Sequence, residues 1–416
     1  MSDYVQLTPS QKFALRVLQE NVDNVFLTGS PGTGKSFLIS HYLKIQKAKI
    51  PVVASTGAAA LLVGGRTFHS FFSLGIMQGG PEFTFNAAVQ NGRLRKRLQG
   101  TDTLVIDEIS MLSGETLDCA EKIARFARES AQPWGGIRIV AVGDFAQLPP
   151  IGKGREKEWA FLSESWKRTC FRKVSLMDVV RTEDKDFLKI LESIRWGVLS
   201  SGVEDFLNQR LVYDEEVEAN TPHIFPRRSE TESYNRLRLS ELPAALKRFE
   251  TSYGGAAHYI DRLMNDAPIP PVLELKKQAL VMLRINDPKQ RFINGTVGTI
   301  TDMDENTMVI DTGGRRVEIE PFTFTMLDAD GEEVAFARNF PVTLAYANTI
   351  HKMQGTTLDR AHISLKSLWE PGQAYVALSR ARSGRGITLM GWDAASIKSD
   401  QAVKEFYGAG EALASL

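Results

Sequence analysis

Cysteine is scarce in this sequence of 416 residues, which has only Cys119 and Cys170. Two thiols make neither a disulfide framework nor a four-cysteine zinc site, and they suit a reducing compartment. No apolar run approaches the ~20 residues that a membrane helix needs. Met1-Ser2-Asp3-Tyr4 does not open a basic-then-apolar secretory leader. A cytoplasmic protein with no membrane partner is expected. An excess of one charge is also missing: Lys and Arg together number 50, as do Asp and Glu. Bulk attraction therefore cannot hold a polyanion, and a nucleic acid would need a local basic groove. The same balance disfavours a non-enzymatic nucleic-acid binder. Internal repeats and low-complexity tracts are absent. The composition, 43% hydrophobic and 24% charged, excludes a disordered chain, a collagen-like fibre and a membrane bundle. At about 150 residues per domain, the length suggests two to three domains.

What is present is a series of short apolar runs, each ending in a polar or glycine-rich turn. They are Asn24–Thr28, Pro51–Ser55, Thr103–Asp107 and Ile137–Val142. Such runs read as buried parallel strands. Helical patterns lie between them, for example Glu115 to Glu129. Strand alternating with helix implies a parallel α/β sheet covered on both faces. From about 276 to 345 the pattern changes. Phe292-Ile-Asn-Gly-Thr-Val297 and Met308 to Ile319 read as hairpins, the first from its Asn-Gly pair. A small antiparallel barrel inserted in the chain is predicted. The α/β pattern then resumes with Pro341–Tyr346, a helical Ala374–Arg382 and Gly386–Met390.

The sharpest chemical signal is Gly29-Ser-Pro-Gly-Thr-Gly34-Lys35-Ser36, with a strand before it and a helix after it. The glycines Gly29, Gly32 and Gly34 with Thr33 let backbone N–H groups close around a phosphate. Lys35 reaches the β- and γ-phosphates, and the Ser36 hydroxyl holds Mg²⁺. Val105-Ile-Asp107-Glu108 supplies the second half: Asp107 for Mg²⁺, Glu108 to orient and deprotonate the attacking water. Gln147, in Gly143-Asp-Phe-Ala-Gln147-Leu-Pro-Pro150, can hydrogen-bond the γ-phosphate and report its loss. These residues predict ATP as substrate and Mg²⁺ as cofactor.

Together with Thr349-Ile-His-Lys-Met-Gln-Gly-Thr-Thr357 and Tyr375-Val-Ala-Leu-Ser-Arg380, these motifs stand in the order of superfamily-one helicases. The chain resembles the Petite Integration Frequency (PIF) family of DNA helicases over about 5 to 393, and the RecD and Dda helicases more distantly. Ser55–Ala60 with Gly65–Ser70 resembles the family's DNA-contacting segment. Leu117–Ile139, with Pro133-Trp-Gly-Gly136, resembles a stretch that marks the family. The resemblance implies two RecA-like domains: 1–172, with a wedge insertion at about 73–92, and 173–275 with 346–416, interrupted by the barrel at 276–345.

The resemblance also implies roles that spacing alone would not. Gln11 matches a glutamine that contacts adenine, and Gly355 falls among the nucleotide-binding positions. Arg181 and Arg380 match arginines that reach the γ-phosphate from the second domain. Thr56, Thr67, Phe68 and His69 would hold single-stranded DNA from the first domain, His351 and Thr357 from the second. At least two of Phe68, Phe71 and Phe72 are nevertheless expected in the core. The basic run Arg93–Arg97 is expected to be a solvated helix face. Implied partners are single-stranded DNA and its junctions with duplex, with a monomer as the active form and 5′-to-3′ movement. The chain is short beside members that carry long N-terminal extensions, and a bacterial or phage-type intracellular protein is expected. An RNA-directed helicase and an ATPase switch or loader acting on a protein are the alternatives.

Overall fold

The computed structural model describes residues 6–408 except 21, 47–48, 56–65, 76, 78–79, 151–157, 219–220, 288–290, 293 and 328–331. The chain divides into two units, residues 1–183 with 327–332, and residues 184–326 with 333–416. Among the described residues no helix is long and apolar enough to cross a membrane.

The first unit opens with α1 (Pro9–Glu20), β1 (Val25–Gly29), α2 (Lys35–Ile45), β2 (Val52–Ala54) and β3 (Arg66–Thr67). It continues through the short helix α3 (Phe68–Phe71), α4 (Gly80–Val89), α5 (Gly92–Gln99), β4 (Thr103–Asp107) and α6 (Gly114–Ala127). β5 (Arg138–Val142), α7 (Glu164–Thr169) and β6 (Arg172–Leu176) complete it. The strands form one sheet in the order β3-β2-β4-β5-β1-β6, parallel throughout. Helices cover both faces of such a sheet, so its central strands must be apolar on both sides. β1 and β5 are buried at every residue. Leu27, Val105, Val140, Val142 and Val174 pack with Leu38 of α2. Each such side chain contributes about 1.5–3 kcal/mol relative to exposure, and the strand tips inherit that rigidity. α6 begins where Ser113 accepts a hydrogen bond from the Thr116 N–H at 3.2 Å, the capping that its sequence requests.

One boundary differs from expectation. The resemblance places residues 173–176 in the second domain, but β6 pairs with β1 from Val25↔Arg172 to Gly29↔Leu176. The first unit therefore runs to 183. A sixth strand flanking the phosphate-loop strand satisfies the exposed ladder of β1.

The second unit begins with α8 (Lys185–Arg195), α9 (Ser201–Asn208), β7 (His223–Phe225) and α10 (Arg228–Glu241). Next come β8 (Lys247–Glu250), β9 (Ser252–Gly255), α11 (Ala257–Asp266), β10 (Val272–Leu275), β11 (Leu280–Leu283), β12 (Val297–Met303), β13 (Met308–Asp311) and β14 (Arg316–Ile319). β15 (Phe322–Leu327), β16 (Glu333–Asn339) and β17 (Val342–Leu344) lead to β18 (Ala347–Thr349), β19 (Ala361–Leu365), α12 (Gln373–Leu378), β20 (Ile387–Trp392) and α13 (Gln401–Tyr407). A parallel sheet, β18-β7-β19-β20, is interrupted between β7 and β18 by antiparallel structure. The largest inserted sheet has the order β14-β13-β12-β11-β17.

The insertion departs from its expected bounds of 276–345. β8 pairs with β10, β9 joins β15 and β16, and Leu273 and Leu275 pack into the core with Val281, Ile300 and Ile310. The inserted structure therefore starts near Lys247. The apolar pattern of Pro341–Tyr346 predicts a return to α/β, but Val342–Leu344 pairs antiparallel with β11. A three-residue apolar strand carries no period that tells the two apart. The Met308–Ile319 hairpin is present, with Asp311 paired to Arg316. Asn294-Gly295 does not join two strands directly: it lies in the longer connection between β11 and β12, where the Gly295 N–H donates to the Leu283 carbonyl at 2.8 Å.

Candidate nucleotide and single-strand sites

In the first unit the phosphate loop follows β1, Asp107 ends β4, and Gly143 follows β5. These three strands are neighbours in the sheet, in the order β4-β5-β1. Ligands bind at this carboxyl edge in sheets of this kind. The Lys35 ammonium donates to the carbonyl of Gly29 at 2.6 Å and to that of Ser30 at 3.4 Å. This keeps the cation folded over the loop. Ser36 is exposed in the first turn of α2.

The loop is held from outside by two segments. Gln11 is 2% exposed; its amide donates to the Thr33 carbonyl at 2.9 Å and its oxygen accepts from the Thr8 N–H at 3.1 Å. The Val180 N–H donates to the Gly32 carbonyl at 2.9 Å. A Cβ on Gly32 would lie 2.5 Å from the Arg181 Cβ, and one on Gly34 would lie 2.6 Å from the Gln11 amide nitrogen. Both glycines also take left-handed φ, 85° and 82°. Conformation and packing thus demand glycine at the same two places. The segment carrying Arg181 is pinned in turn, since the Ser10 hydroxyl donates to Asp178 at 2.5 Å and the Ser10 N–H at 3.0 Å. Those bonds hold the Asp178 carboxyl below its usual range. Arg181 therefore lies against the phosphate loop within the first unit, not in the second as expected.

Burial pushes the Asp107 carboxyl above the usual carboxylate range, against the Glu108 N–H and the Lys35 charge, which pull it down. The Glu108 N–H donates to Asp107 at 2.9 Å. Glu108 itself adopts φ 51°, ψ 45°, a left-handed conformation that costs a non-glycine residue about 1–2 kcal/mol. Strain at a residue expected to act on water accords with a functional constraint. A hydroxyl at Ser36 and a carboxylate at Asp107 are hard oxygen donors of the kind Mg²⁺ takes. A divalent cation would also favour the charged form that burial at Asp107 opposes. Asp144 is fully buried and accepts from the Ala146 N–H at 3.1 Å; the Gln147 N–H donates to the Asp144 carbonyl, also at 3.1 Å. These bonds shape the turn that carries Gln147.

Thr56 lies outside the described residues. Thr67 caps α3, its hydroxyl accepting from the Ser70 N–H at 3.1 Å, and His69 is half-buried. Phe68 is a correction. It is 0% exposed, its ring tilted at 45° against that of Phe72 with centroids 4.9 Å apart, and Phe72 meets Trp134 at 5.7 Å. Phe71 is equally buried, so all three phenylalanines are core and Phe68 offers no face to a base. Of the basic run, Arg97 turns inward to the Phe71 carbonyl at 3.1 Å, while Arg93 and Lys96 are solvated.

In the second unit Arg380 is 1% exposed. Its guanidinium donates to the Val376 carbonyl at 2.7 Å, to the Met353 carbonyl at 3.4 Å and to the Ser379 hydroxyl at 2.7 Å. Gly355 is exposed with φ 79°, and Thr357 is half-buried. His351 follows β18, and burial lowers its pKa against the opposing pull of Glu370. Its ring lies 6.5 Å from that of Trp369 at 22°. Sequence reasoning passed over Trp369, Arg227 and Arg228. The legible signal was a basic pair directly after the apolar Ile224-Phe225-Pro226.

A phosphate loop, a strand-end Asp-Glu pair and a second parallel sheet with a buried motif arginine define the class: a phosphate-loop ATPase built as a motor of two RecA-like domains. The model of the PIF1-like helicase family matches residues 6–204. The ATP-dependent DNA helicase Pif1 of Bdellovibrio bacteriovorus is 44% identical over 98% of this chain and 93% of its own length. The chain spans 61% of the zebrafish relative. Among solved structures, Pif1 of a Bacteroides species in complex with ADP-AlF4 has a TM-score of 0.84 at 28% identity, over 98% of both chains. Bacteroides Pif1 bound to single-stranded DNA has a TM-score of 0.68 at 28% identity, over 99% of this chain and 98% of that one. The chain belongs to the PIF1-like helicase family, and its enzymatic class is that of an ATP-dependent DNA helicase.

Proposed function

We propose that the protein couples ATP hydrolysis to 5′-to-3′ movement along one DNA strand and thereby separates duplexes. The observation that carries this reading is the loop clamped by Gln11 and the Val180–Arg181 segment beside Lys35, Asp107 and Glu108. Gln11 would contact the adenine base, as its match to the family's glutamine implies, and Lys35 neutralises the β- and γ-phosphates. Ser36 and Asp107 would hold Mg²⁺, which when bound neutralises phosphate charge. Glu108 takes the proton of the attacking water, and Gln147 orients on the γ-phosphate. Arg181 and Arg380 are the proposed cations for charge that builds on the transferred group.

The strand is held from the first unit by Thr67 and His69, and from the second by His351 and Thr357. Helix α4, whose Phe83 is 66% exposed, is the proposed obstacle that diverts the other strand. Movement on single-stranded DNA rests on family membership and on a relative solved with that ligand. One chain carries all the proposed nucleotide residues, so a monomer is proposed as the active unit. The test is unwinding of duplexes bearing a 5′ or a 3′ single-stranded tail, with ATPase followed in parallel. The reading expects unwinding of the 5′-tailed substrate only, strong stimulation of ATPase by single-stranded DNA, and loss of both in Lys35→Ala. Equal unwinding of both substrates would refute the polarity.

A further inference from the structure

In the second unit the carboxyl ends of three adjacent parallel strands, β18, β7 and β19, feed three loops. Thr349 ends the first strand and His351 follows it, Pro226, Arg227 and the helix-opening Arg228 follow the second, and Trp369 follows the third. These six residues line one open cavity of about 590 Å³. Trp369 is 47% exposed, an unusual state for a large aromatic residue on a folded surface. Its position is not loose, because the oxygen of the fully buried Gln373 accepts from the N–H groups of Trp369 and Glu370 at 3.0 and 3.1 Å. The backbone is thus fixed while the indole stays open. Arg227 stands 6.0 Å from its ring centroid. Arg228 is largely exposed, tied only at its Nε to Glu232 at 2.5 Å among the contacts described for it.

A rigid aromatic face beside two guanidinium groups matches what a single strand presents, a planar base attached to a phosphate. We propose that Trp369 is a base-stacking platform for single-stranded DNA, with Arg227 and Arg228 as the phosphate contacts beside it. This rests on the single-strand reading given above and adds to it a named binding station in the second unit. A nucleotide base would lie on the indole, while the His351 ring, kept neutral by burial, closes one side without competing for phosphate.

The protein has six tryptophans. Trp134, Trp159, Trp166 and Trp196 are at most 8% exposed and Trp392 is half-buried, so Trp369 dominates any response to a ligand at the surface. The experiment is titration of the full chain with oligothymidine, read by intrinsic fluorescence and by anisotropy of a labelled oligomer. Expected are quenching in the wild type that is lost in Trp369→Phe, and binding about tenfold weaker in Trp369→Ala but largely restored in Trp369→Phe. Arg228→Ala should lower the salt slope of binding by about one. Equal quenching in Trp369→Phe, or wild-type affinity in a Trp369→Ala protein with wild-type thermal unfolding, would overturn the platform. If Trp369→Ala does not fold, the wild-type and Trp369→Phe quenching alone decides. Quenching by ATP without DNA would also overturn it. A wild type that binds no oligothymidine at all would refute the single-strand reading itself, and the platform with it.

Discussion

Both units end a parallel sheet in loops that carry the proposed sites, yet the two edges are built differently. In the first unit the loop residues are locked: Gln11 is buried, Gly32 and Gly34 have no room for a side chain, and Glu108 is held in a left-handed conformation. In the second, the edge outside the buried Arg380 is open, with Trp369 and Arg228 exposed and nothing within 4 Å of a Cβ on Gly355. The difference fits two kinds of work. Transferring a phosphoryl group requires donors fixed before the reaction, whereas a polymer that slides requires faces it can leave.

The comparison breaks most sharply at Arg380. If the first unit did all the chemistry, Arg380→Ala would hydrolyse ATP normally. The expected outcome is a fall in kcat of about 10³–10⁵ with ATP affinity little changed, measured by single-turnover hydrolysis and nucleotide binding. A raised KM with unchanged kcat would count against it.

Within the first unit, Glu108→Gln should cost about 10²–10⁴ in kcat, because an amide cannot accept the proton of water. Binding of ATP and Mg²⁺ should persist. Parallel loss of binding would mean that the residue shapes the site and does no proton transfer.

Glycine substitutions test the packing difference directly. Gly34→Ala should destabilise the protein by at least about 2 kcal/mol and weaken nucleotide binding, since strain adds to contact with Gln11. Gly355→Ala faces conformational strain alone, about 1–2 kcal/mol. Urea midpoints of the two variants decide, and equal losses would deny the contrast.

The last effect is one of pH. His223 and His362 pair across β7 and β19 beneath Asp214. The His223 Nε2 meets the Tyr234 hydroxyl at 2.9 Å. Burial and the neighbouring His362 lower the His223 pKa from 6.5 to about 4. As pH falls below about 6.5 the unfolded chain takes up a proton that the folded chain refuses until about 4. Stability present above 6.5 is therefore lost across that window, on the order of 2 kcal/mol. The second unit should become protease-sensitive at pH 5 before the first, and His223→Gln should flatten the dependence.

Much of the first unit was legible in the sequence because parallel strands buried on both faces are written as continuous apolar runs. Val25–Gly29, Thr103–Asp107 and Arg138–Val142 are of this kind, and the phosphate loop and the Asp-Glu pair follow directly from their ends. The largely exposed strands Lys247–Glu250 and Ser252–Gly255 have no such signature, so the sequence pattern marks the insertion only from about 276.

The sequence by itself named the phosphate loop and the Asp-Glu pair proposed for phosphoryl chemistry, since residue type and spacing beside apolar runs mark such a loop. Only the tertiary structure decided which side chains meet it. Arg181 reaches the loop because β6 pairs with β1, and Phe68 is withdrawn from any base because it is buried against Phe72, which in turn meets Trp134. Trp369 comes beside Arg227 because β7 and β19 are neighbours across more than a hundred residues of insertion. Contacts of that range depend on strand order, and no local pattern encodes strand order.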